Sequence, residues 1–205
     1  MEQIQDVSDV ERLAGNLGPL PEPAARPALV VMSGLPSTGK TYFCGRLSKR
    51  LPLVILESDS LRKVLFPSPT YSAEESFRLF QAIHRLIEQL LRKGVSLILD
   101  ATNLSERHRE CLYSIANHLD VKLVLARVKA PPKIVQARLK RRLEHPEGNS
   151  DADWATYQKM KASVETIHRQ HYTVDTSQDI TPTLDKLVKE IKSQGEYSAS
   201  LPSQS

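Results

Sequence analysis

The sequence is poor in cysteine, in aromatic residues and in long apolar runs, and each shortage excludes a class of protein. Two cysteines, Cys44 and Cys111, cannot form the disulfide framework of a small secreted scaffold, and they favour a reducing compartment. Aromatic residues make up 5% of the chain, which argues against a single-strand groove built on stacked bases. No apolar run could cross a bilayer, and the N-terminus has no export signal. We therefore expect a cytoplasmic protein with no membrane partner.

What the chain does have is enough length for one domain, and an uneven distribution of charge. It has 205 residues and a net charge of +4, which alone does not identify a nucleic-acid binder. Eight lysines or arginines, and no acidic residue, lie between Val121 and Leu143. This basic stretch is either a solvated helix face or part of a site for anions.

The composition divides the chain into three parts. Residues 1–27 are predicted to be an appendage, with a short helix over Ser8 to Leu17 and a proline-rich linker after it. Residues 28–194 are predicted to form the folded domain, with a lid at about 133–155. Residues 195–205 are rich in serine and predicted to be disordered.

Short apolar runs alternate with helical patterns through the central part, which predicts an α/β fold with a parallel sheet covered on both faces. The long helix over Ser72 to Lys93 begins with a capping box of Ser72 and Glu75. A later helix is predicted over Asp151 to His168. The five predicted strands are 28–33, 53–56, 95–99, 121–126 and 171–174. Ligands of such folds bind at the carboxyl ends of the strands.

A phosphate-binding loop follows the first predicted strand. Its glycines let the backbone surround an anion, and main-chain N–H groups and a helix N-terminus point at the phosphates. Lys40 is predicted to reach the β- and γ-phosphates, and the Thr41 hydroxyl to ligate Mg²⁺. No guanine-recognition motif is present, which favours ATP over GTP. The motif consists of Gly34, Leu35, Pro36, Ser37, Thr38, Gly39, Lys40 and Thr41.

Asp59 and Arg62 follow the second predicted strand. A carboxylate at that edge of the sheet can take the proton of an attacking hydroxyl, so Asp59 is predicted to be the general base. Its alternative role is a helix N-cap. Arg62 lies one helical turn further on and is predicted to hold an anionic group of the acceptor. Its alternative is a surface residue.

The third predicted strand ends in Asp100, in the Walker B form of an acidic residue after an apolar run. Asp100 is predicted to hold Mg²⁺ through water. Asn103 is predicted to lie at the mouth of the site as a low-ranked substrate contact, or else to be a turn residue.

Two arginines of the basic stretch, Arg138 and Arg142, are four residues apart and therefore share a helix face. They are predicted to be lid arginines that neutralise charge on the moving phosphoryl group. Arg127, at the end of the fourth strand, is a weaker candidate. Lys140 and Arg141 are predicted to point elsewhere.

These motifs together resemble the polynucleotide 5′-kinase, zeta-toxin and chloramphenicol phosphotransferase group of P-loop kinases, over about residues 28–192. The resemblance implies a P-loop NTPase fold, a three-layer α/β/α arrangement with a five-stranded parallel sheet and a helical lid. It implies ATP and Mg²⁺ as cofactors, Asp59 as base, and Arg62 as a contact to the acceptor's phosphate. The segment from Val174 to Ser177 resembles one that lines a nucleoside pocket. The one-residue-longer spacing from Asp100 to Asn103 departs from the phage enzymes.

Three functions remain open from the sequence. The first is a kinase acting on a nucleic-acid 5′-hydroxyl, which needs an open basic groove near Arg62. The second is a kinase for a small metabolite or antibiotic, which needs a closed pocket formed by the helix from Ser72. The third is a regulatory module that binds ATP with little catalysis, in which Asp59 does not face the γ-phosphate.

Overall fold

The computed structural model describes residues 2–144 and 151–193, and the side chains from residue 8 onward within them. Its centre is a five-stranded, entirely parallel sheet in the order β2-β3-β1-β4-β5. This arrangement confirms the predicted α/β fold. The strands are β1 (Ala28–Ser33), β2 (Val54–Glu57), β3 (Leu97–Asp100), β4 (Lys122–Lys129) and β5 (Tyr172–Asp175).

Eight helices connect and flank these strands in the described part of the chain, which gives three layers. The helices are α1 (Glu2–Gly15), α2 (Lys40–Ser48), α3 (Ser58–Leu65), α4 (Ala73–Arg92), α5 (Glu106–His118), α6 (Pro132–Glu144), α7 (Trp154–Lys161) and α8 (Thr181–Lys192). None of the described helices is both long and apolar enough to span a membrane.

The sheet is apolar on both faces because successive strand residues point to opposite sides. On β1, Leu29 and Val31 face one core, which α1, α3, α4 and α5 cover. Val30 and Met32 face the other core, which α2 and α8 cover. Burial on both faces explains why the strands read as continuous apolar runs.

The N-terminal helix α1 packs against the main core, although the sequence suggested an appendage. Val10 and Leu13 are buried in the same cluster as the apolar face of α4. Asp9 is 2% exposed and accepts hydrogen bonds of 2.5 and 2.8 Å from Arg78 of α4. Arg12 donates to the Val64 carbonyl at the end of α3. The division of the chain into domains stays a prediction, but α1 stabilises the layer that carries α3 and α4.

The helical arm consists of α6 and α7, and it has a small core of its own. Val135 and Leu139 of α6 pack with Tyr157 of α7, and Trp154 stacks on Tyr157 at 4.9 Å between ring centroids. The helix predicted from Asp151 to His168 is shorter, because α7 begins only after its N-cap, Asp153, and ends at Lys161. Residues 145–150 of the predicted lid and the predicted tail at 195–205 lie outside the described residues.

Candidate functional site

The phosphate-binding loop lies between β1 and α2, as predicted. At Gly34, an added Cβ would lie 2.3 Å from the Val128 carbonyl oxygen of β4, so no larger residue fits. Gly39 has φ +96°, and its Cβ would lie 2.9 Å from Thr176. The loop is thus held between β4 and the segment after β5. The buried Ser37 hydroxyl has no hydrogen-bond partner among the described residues, which fits a loop that a bound phosphate completes.

Lys40 turns its ammonium group into this loop, where Nζ donates to the Leu35 carbonyl at 3.1 Å. Burial lowers the pKa of Lys40, whereas the negative charges of Asp100 and Asp59 act in the opposite direction. A phosphate at this position would offer the ammonium group a far better partner than a neutral carbonyl. The phosphate-binding loop therefore fits the phosphates of a nucleoside triphosphate.

Thr41 and Asp100 meet where the start of α2 faces the end of β3. The Thr41 hydroxyl donates to Asp100 Oδ2 at 2.6 Å, and Asp100 is 3% exposed. Burial raises the pKa of Asp100, and the nearby charge of Lys40 and the hydrogen bond from Thr41 oppose that shift. A divalent cation here would favour the charged carboxylate.

These two oxygen ligands fit Mg²⁺ as proteins usually bind it. The described residues contain no group of three acidic, histidine or cysteine side chains that could hold a metal alone. Mg²⁺ is commonly held by one or two carboxylates together with water and substrate phosphates. Thr41 and Asp100 would supply the protein's share of such a site.

Asp59 lies in the first turn of α3, directly after β2, and lines the same cleft as Lys40 and Asp100. Its charge acts on the titration of both residues. The N-cap of α3 is Glu57, and no side chain caps that helix. Asp59 is therefore not an N-cap, and its carboxylate remains available to the cleft.

Arg62 is 6% exposed and so is not the surface residue that the sequence left as an alternative. Its Nη1 donates to Glu75 at 2.5 Å, and its guanidinium lies 4.9 Å from the centre of the Tyr71 ring. The buried Nε has no hydrogen-bond partner among the described residues. Nη2 donates to Ser76 at 3.3 Å, and Arg62 lines the cleft, so its guanidinium is a fixed cation in the cleft wall.

Glu75 fixes Arg62, a role that the sequence analysis missed. Its carboxylate also accepts hydrogen bonds from the Thr70 amide at 2.7 Å and the Thr70 hydroxyl at 2.9 Å. Burial by itself would raise the pKa of Glu75, but the bonds from Thr70 and Arg62 outweigh it and lower the pKa to about 2. The predicted capping box is present in part, because the Ser72 hydroxyl accepts a hydrogen bond from the Glu75 amide. The capping box does not predict the contact between the Glu75 side chain and Arg62.

Asn103 is a turn residue with φ +42°, and it is buried. Its side-chain amide donates to the Met32 carbonyl of β1 at 2.8 Å, and its own carbonyl accepts from Arg109 at 2.7 Å. It also lines the cleft. This geometry ties the loop after β3 to β1. A contact with substrate stays a prediction.

The two predicted lid arginines both line the cleft, at different places. Arg138 donates to the Thr176 hydroxyl at 2.9 Å and to the Thr176 carbonyl at 3.0 Å, and Thr176 donates to the Thr38 carbonyl at 2.6 Å. Arg138 therefore braces the phosphate loop from outside. Arg142 lies near enough to Lys40 to lower its pKa, the smallest of the contributions at that residue.

The other basic residues of the stretch differ from expectation in one case. Arg127 is exposed and is not part of the cleft wall. Arg141 was expected to point elsewhere, yet it lines the cleft. No motif or spacing predicted this position, and the adjacent Arg141 and Arg142 of α6 both line the cleft.

The cleft has a volume of about 1740 Å³ and extends well beyond the charged groups. One end is formed by α2 and the segment after β5, including Tyr42, Thr176 and Gln178. The nucleoside-binding role of the segment from Val174 to Ser177 stays a prediction. The other end lies between α4 and α5. His84 and His108 lie there.

Comparison with known proteins identifies relatives of this chain. Residues 29–167, more than half of the chain, match the model of a family described as AAA domain. A curated L-seryl-tRNA(Sec) kinase of Methanococcus maripaludis is 34% identical over 121 residues, which cover 57% of this chain and 45% of that enzyme. The chain thus spans less than half the length of that relative.

Solved structures share the fold at lower identity. Kti12 of Chaetomium thermophilum in complex with ADP-AlF3 is 20% identical, with a TM-score of 0.64 over 80% of this chain and 98% of that chain. The APS kinase CysC of Mycobacterium tuberculosis, in complex with AMPPNP and APS, is 14% identical, with a TM-score of 0.60 over 82% and 99%. At these identities the likeness concerns the fold alone.

Proposed function

Because the chain belongs to the AAA domain family, we propose that it is an ATP-dependent phosphotransferase that moves the γ-phosphate of ATP to a hydroxyl group. The observation that carries this proposal is the meeting of three groups at one end of the cleft. They are the Lys40 ammonium, the Thr41–Asp100 pair and the Asp59 carboxylate. The kinase fold and the tRNA kinase relative agree with a phosphotransferase.

Each group has one task in the proposed reaction. Asp59 accepts the proton of the acceptor hydroxyl as its oxygen bonds to the γ-phosphorus. The bond from that phosphorus to the oxygen bridging the β- and γ-phosphates breaks, and ADP leaves. Lys40 and Arg142 neutralise the negative charge on the phosphates. Magnesium, when bound by Thr41 and Asp100, would supply further neutralisation.

The position of Asp59 favours catalysis over the regulatory alternative. In that alternative Asp59 faces away from the phosphates, whereas here its charge acts on both Lys40 and Asp100. A carboxylate kept beside a phosphate site is costly for a module that only binds nucleotide, since like charges repel. It is useful to an enzyme that must remove a proton.

The acceptor is proposed only as a class, a hydroxyl carried by a nucleic acid or a small molecule. The relative from Methanococcus maripaludis has a tRNA-borne acceptor by its name, which supports the first of these. Arg62 is paired with Glu75, which balances its charge, whereas Arg107, Arg141 and Arg142 add further positive charge to the cleft. Membership of the narrower polynucleotide kinase and zeta-toxin group is likewise part of the proposal.

The test is transfer of label from γ-labelled ATP, with Mg²⁺, to a panel of 5′-hydroxyl oligonucleotides and small-molecule alcohols. Wild-type protein is expected to label at least one acceptor, and Lys40→Ala to lose both ATP affinity and transfer. Lys140→Ala is the matched control, because Lys140 is an exposed lysine outside the cleft wall. Equal ATP affinity and rate in wild type and Lys40→Ala would remove the basis of the proposal.

A further inference from the structure

One wall of the cleft carries a row of aromatic side chains on α4. Phe77, Phe80 and His84 are three and four residues apart, so they lie on one side of the helix, and all three line the cleft. Phe77 is 62% exposed. A phenylalanine so open to water, inside a concave surface that leads to a catalytic site, is the kind of exposed apolar group that marks a binding site.

Helix α5 continues this aromatic wall on the other side. The His108 ring lies 6.3 Å from the Phe80 ring and is tilted from it by only 16°, while the His84 ring lies 6.2 Å away at 45°. Such offset arrangements are favourable for aromatic rings. Phe80 thus lies beside two imidazoles, and Phe77, one turn earlier, has no ring of this group stacked on it in the described part of the chain.

The α4 side of the wall is uncharged. The cleft residues that α4 contributes include no acidic or basic side chain; they are Ala73, Ser76, Phe77, Phe80, Gln81 and His84. Burial, and to a lesser extent the neighbouring His108, lower the pKa of His84 to about 4, so its ring is neutral near pH 7. The cleft cations beside this wall are Arg107 of α5 and Arg62, whose Nη2 donates to Ser76 at 3.3 Å. This chemistry suits a flat, uncharged ring better than a highly anionic group.

Resting on the proposed function, we infer that the wall formed by Phe77, Phe80 and His108 stacks a nucleobase of the acceptor. The hydroxyl that receives the phosphate is then carried by a sugar attached to that base. Stacking on an aromatic face tolerates any base, and Gln81 offers a neutral donor and acceptor to a base edge. The base belongs either to a free nucleoside or to the terminal nucleotide of a strand.

The size of the cleft agrees with two planar ligands. Pockets for one drug-sized molecule are about 300–1,000 Å³, whereas this cleft has about 1740 Å³. The nucleotide that the phosphate loop binds would fill the end beside α2 and β5. The α4–α5 end is left for a second ring on the far side of Asp59.

Binding of the acceptor, measured apart from its turnover, tests this inference on the full chain. Calorimetry with AMPPNP and Mg²⁺ compares adenosine, cytidine, 5′-hydroxyl DNA and RNA tetramers, and an abasic tetramer of the same charge. We expect base-dependent binding that Phe77→Ala weakens about five-fold or more and Phe77→Leu weakens less, with the abasic tetramer binding poorly to all. Gln89→Ala is the control, an exposed residue of α4 outside the cleft.

The outcomes separate the inference from the proposed function. Base-dependent binding without any phosphate transfer would contradict the kinase proposal and keep the stacking wall. Transfer to base-free alcohols that Phe77→Ala leaves unchanged would overturn the stacking wall and keep the kinase. Equal binding of abasic and base-bearing tetramers would also overturn it. Turnover of free nucleosides, as opposed to tetramers alone, identifies the source of the base.

Discussion

The Thr41 hydroxyl donates a 2.6 Å hydrogen bond to the buried carboxylate of Asp100, and this bond joins the start of α2 to the end of β3. Both oxygens belong to side chains that the sequence assigned to Mg²⁺. We expect Thr41→Val to raise the Mg²⁺ concentration for half-maximal activity by about 10–100-fold, because a ligand is lost without loss of volume. Thr41→Ser keeps the hydroxyl and is expected to remain close to wild type. A Mg²⁺ titration of ATP turnover measures this, and equal curves for Thr41→Val and Thr41→Ser would contradict the assignment.

Asp59→Asn is expected to keep ATP binding and to lower kcat by about 10²–10⁴-fold, because the amide cannot take a proton. Ser60→Ala, at the next position of α3 and outside the cleft wall, is the control. ATP affinity by calorimetry and transfer rates at saturating ATP measure the two effects separately. An Asp59→Asn variant with full kcat would remove Asp59 from the reaction.

Substitutions of Arg138 and Arg142 are expected to change different kinetic constants, because the two arginines contact different parts of the site. Arg142→Ala is expected to lower kcat by on the order of 10³, since its charge lies near Lys40 and the phosphates. Arg138→Ala is expected to raise the KM for ATP by about ten-fold, since it releases Thr176 and with it the phosphate loop.

Lys140→Ala removes a cation from the same helix but not from the cleft wall, and it is expected to change neither constant. Steady-state kinetics with varied ATP distinguish the three variants. If Arg138→Ala and Arg142→Ala changed kcat and KM alike, the two arginines would share one role.

Glu75 is expected to make the free energy of unfolding depend on pH in the acid range. Its pKa is lowered in the folded protein to about 2, from an ordinary value of 4.5, so the folded state favours the charged carboxylate. The stabilisation is therefore complete above about pH 4.5 and is lost as the pH falls towards 2. Glu75→Gln is expected to lower the free energy of unfolding by about 1–3 kcal/mol at pH 7.

The difference between wild type and Glu75→Gln should shrink between pH 4.5 and the lowest pH at which the protein folds. Urea unfolding at pH 7, 5 and 3 measures it. Glu74→Gln, an exposed neighbour in the same helical turn, is the control. A deficit that stays constant over this range would contradict the role given to the charge of Glu75.

The sequence predicted best those parts of the site that depend on local order along the chain. The phosphate loop, Asp59 and Asp100 each follow a strand directly, so the parallel sheet alone brings them to one edge. Arg62 was placed on the correct face, but its pairing with Glu75 was not foreseen. That contact joins two helices through the loop between them, and neither residue type reveals such a partner.

The aromatic wall could not be predicted from the amino-acid composition either. Aromatic residues make up 5% of the chain, which argued against a groove of stacked bases, yet Phe77 and Phe80 both line the cleft. The buried contacts of α1 and the early end of α7 were missed for a related reason. Tertiary packing decides both, and a one-dimensional pattern records only which residues are apolar.

Strand β3 lies between β1 and β2 and so sets the distance across the reaction centre. Neighbouring strands are about 4.8 Å apart, which puts the ends of β1 and β2 roughly 10 Å from each other. In the proposed reaction, the backbone of the sheet therefore sets the spacing between the strand end that leads into the phosphate loop and the strand end that leads to Asp59. In the proposed reaction, substitutions on α4 and α5 would change the choice of alcohol and leave that separation untouched, so the two ends of the cleft are independent targets for engineering.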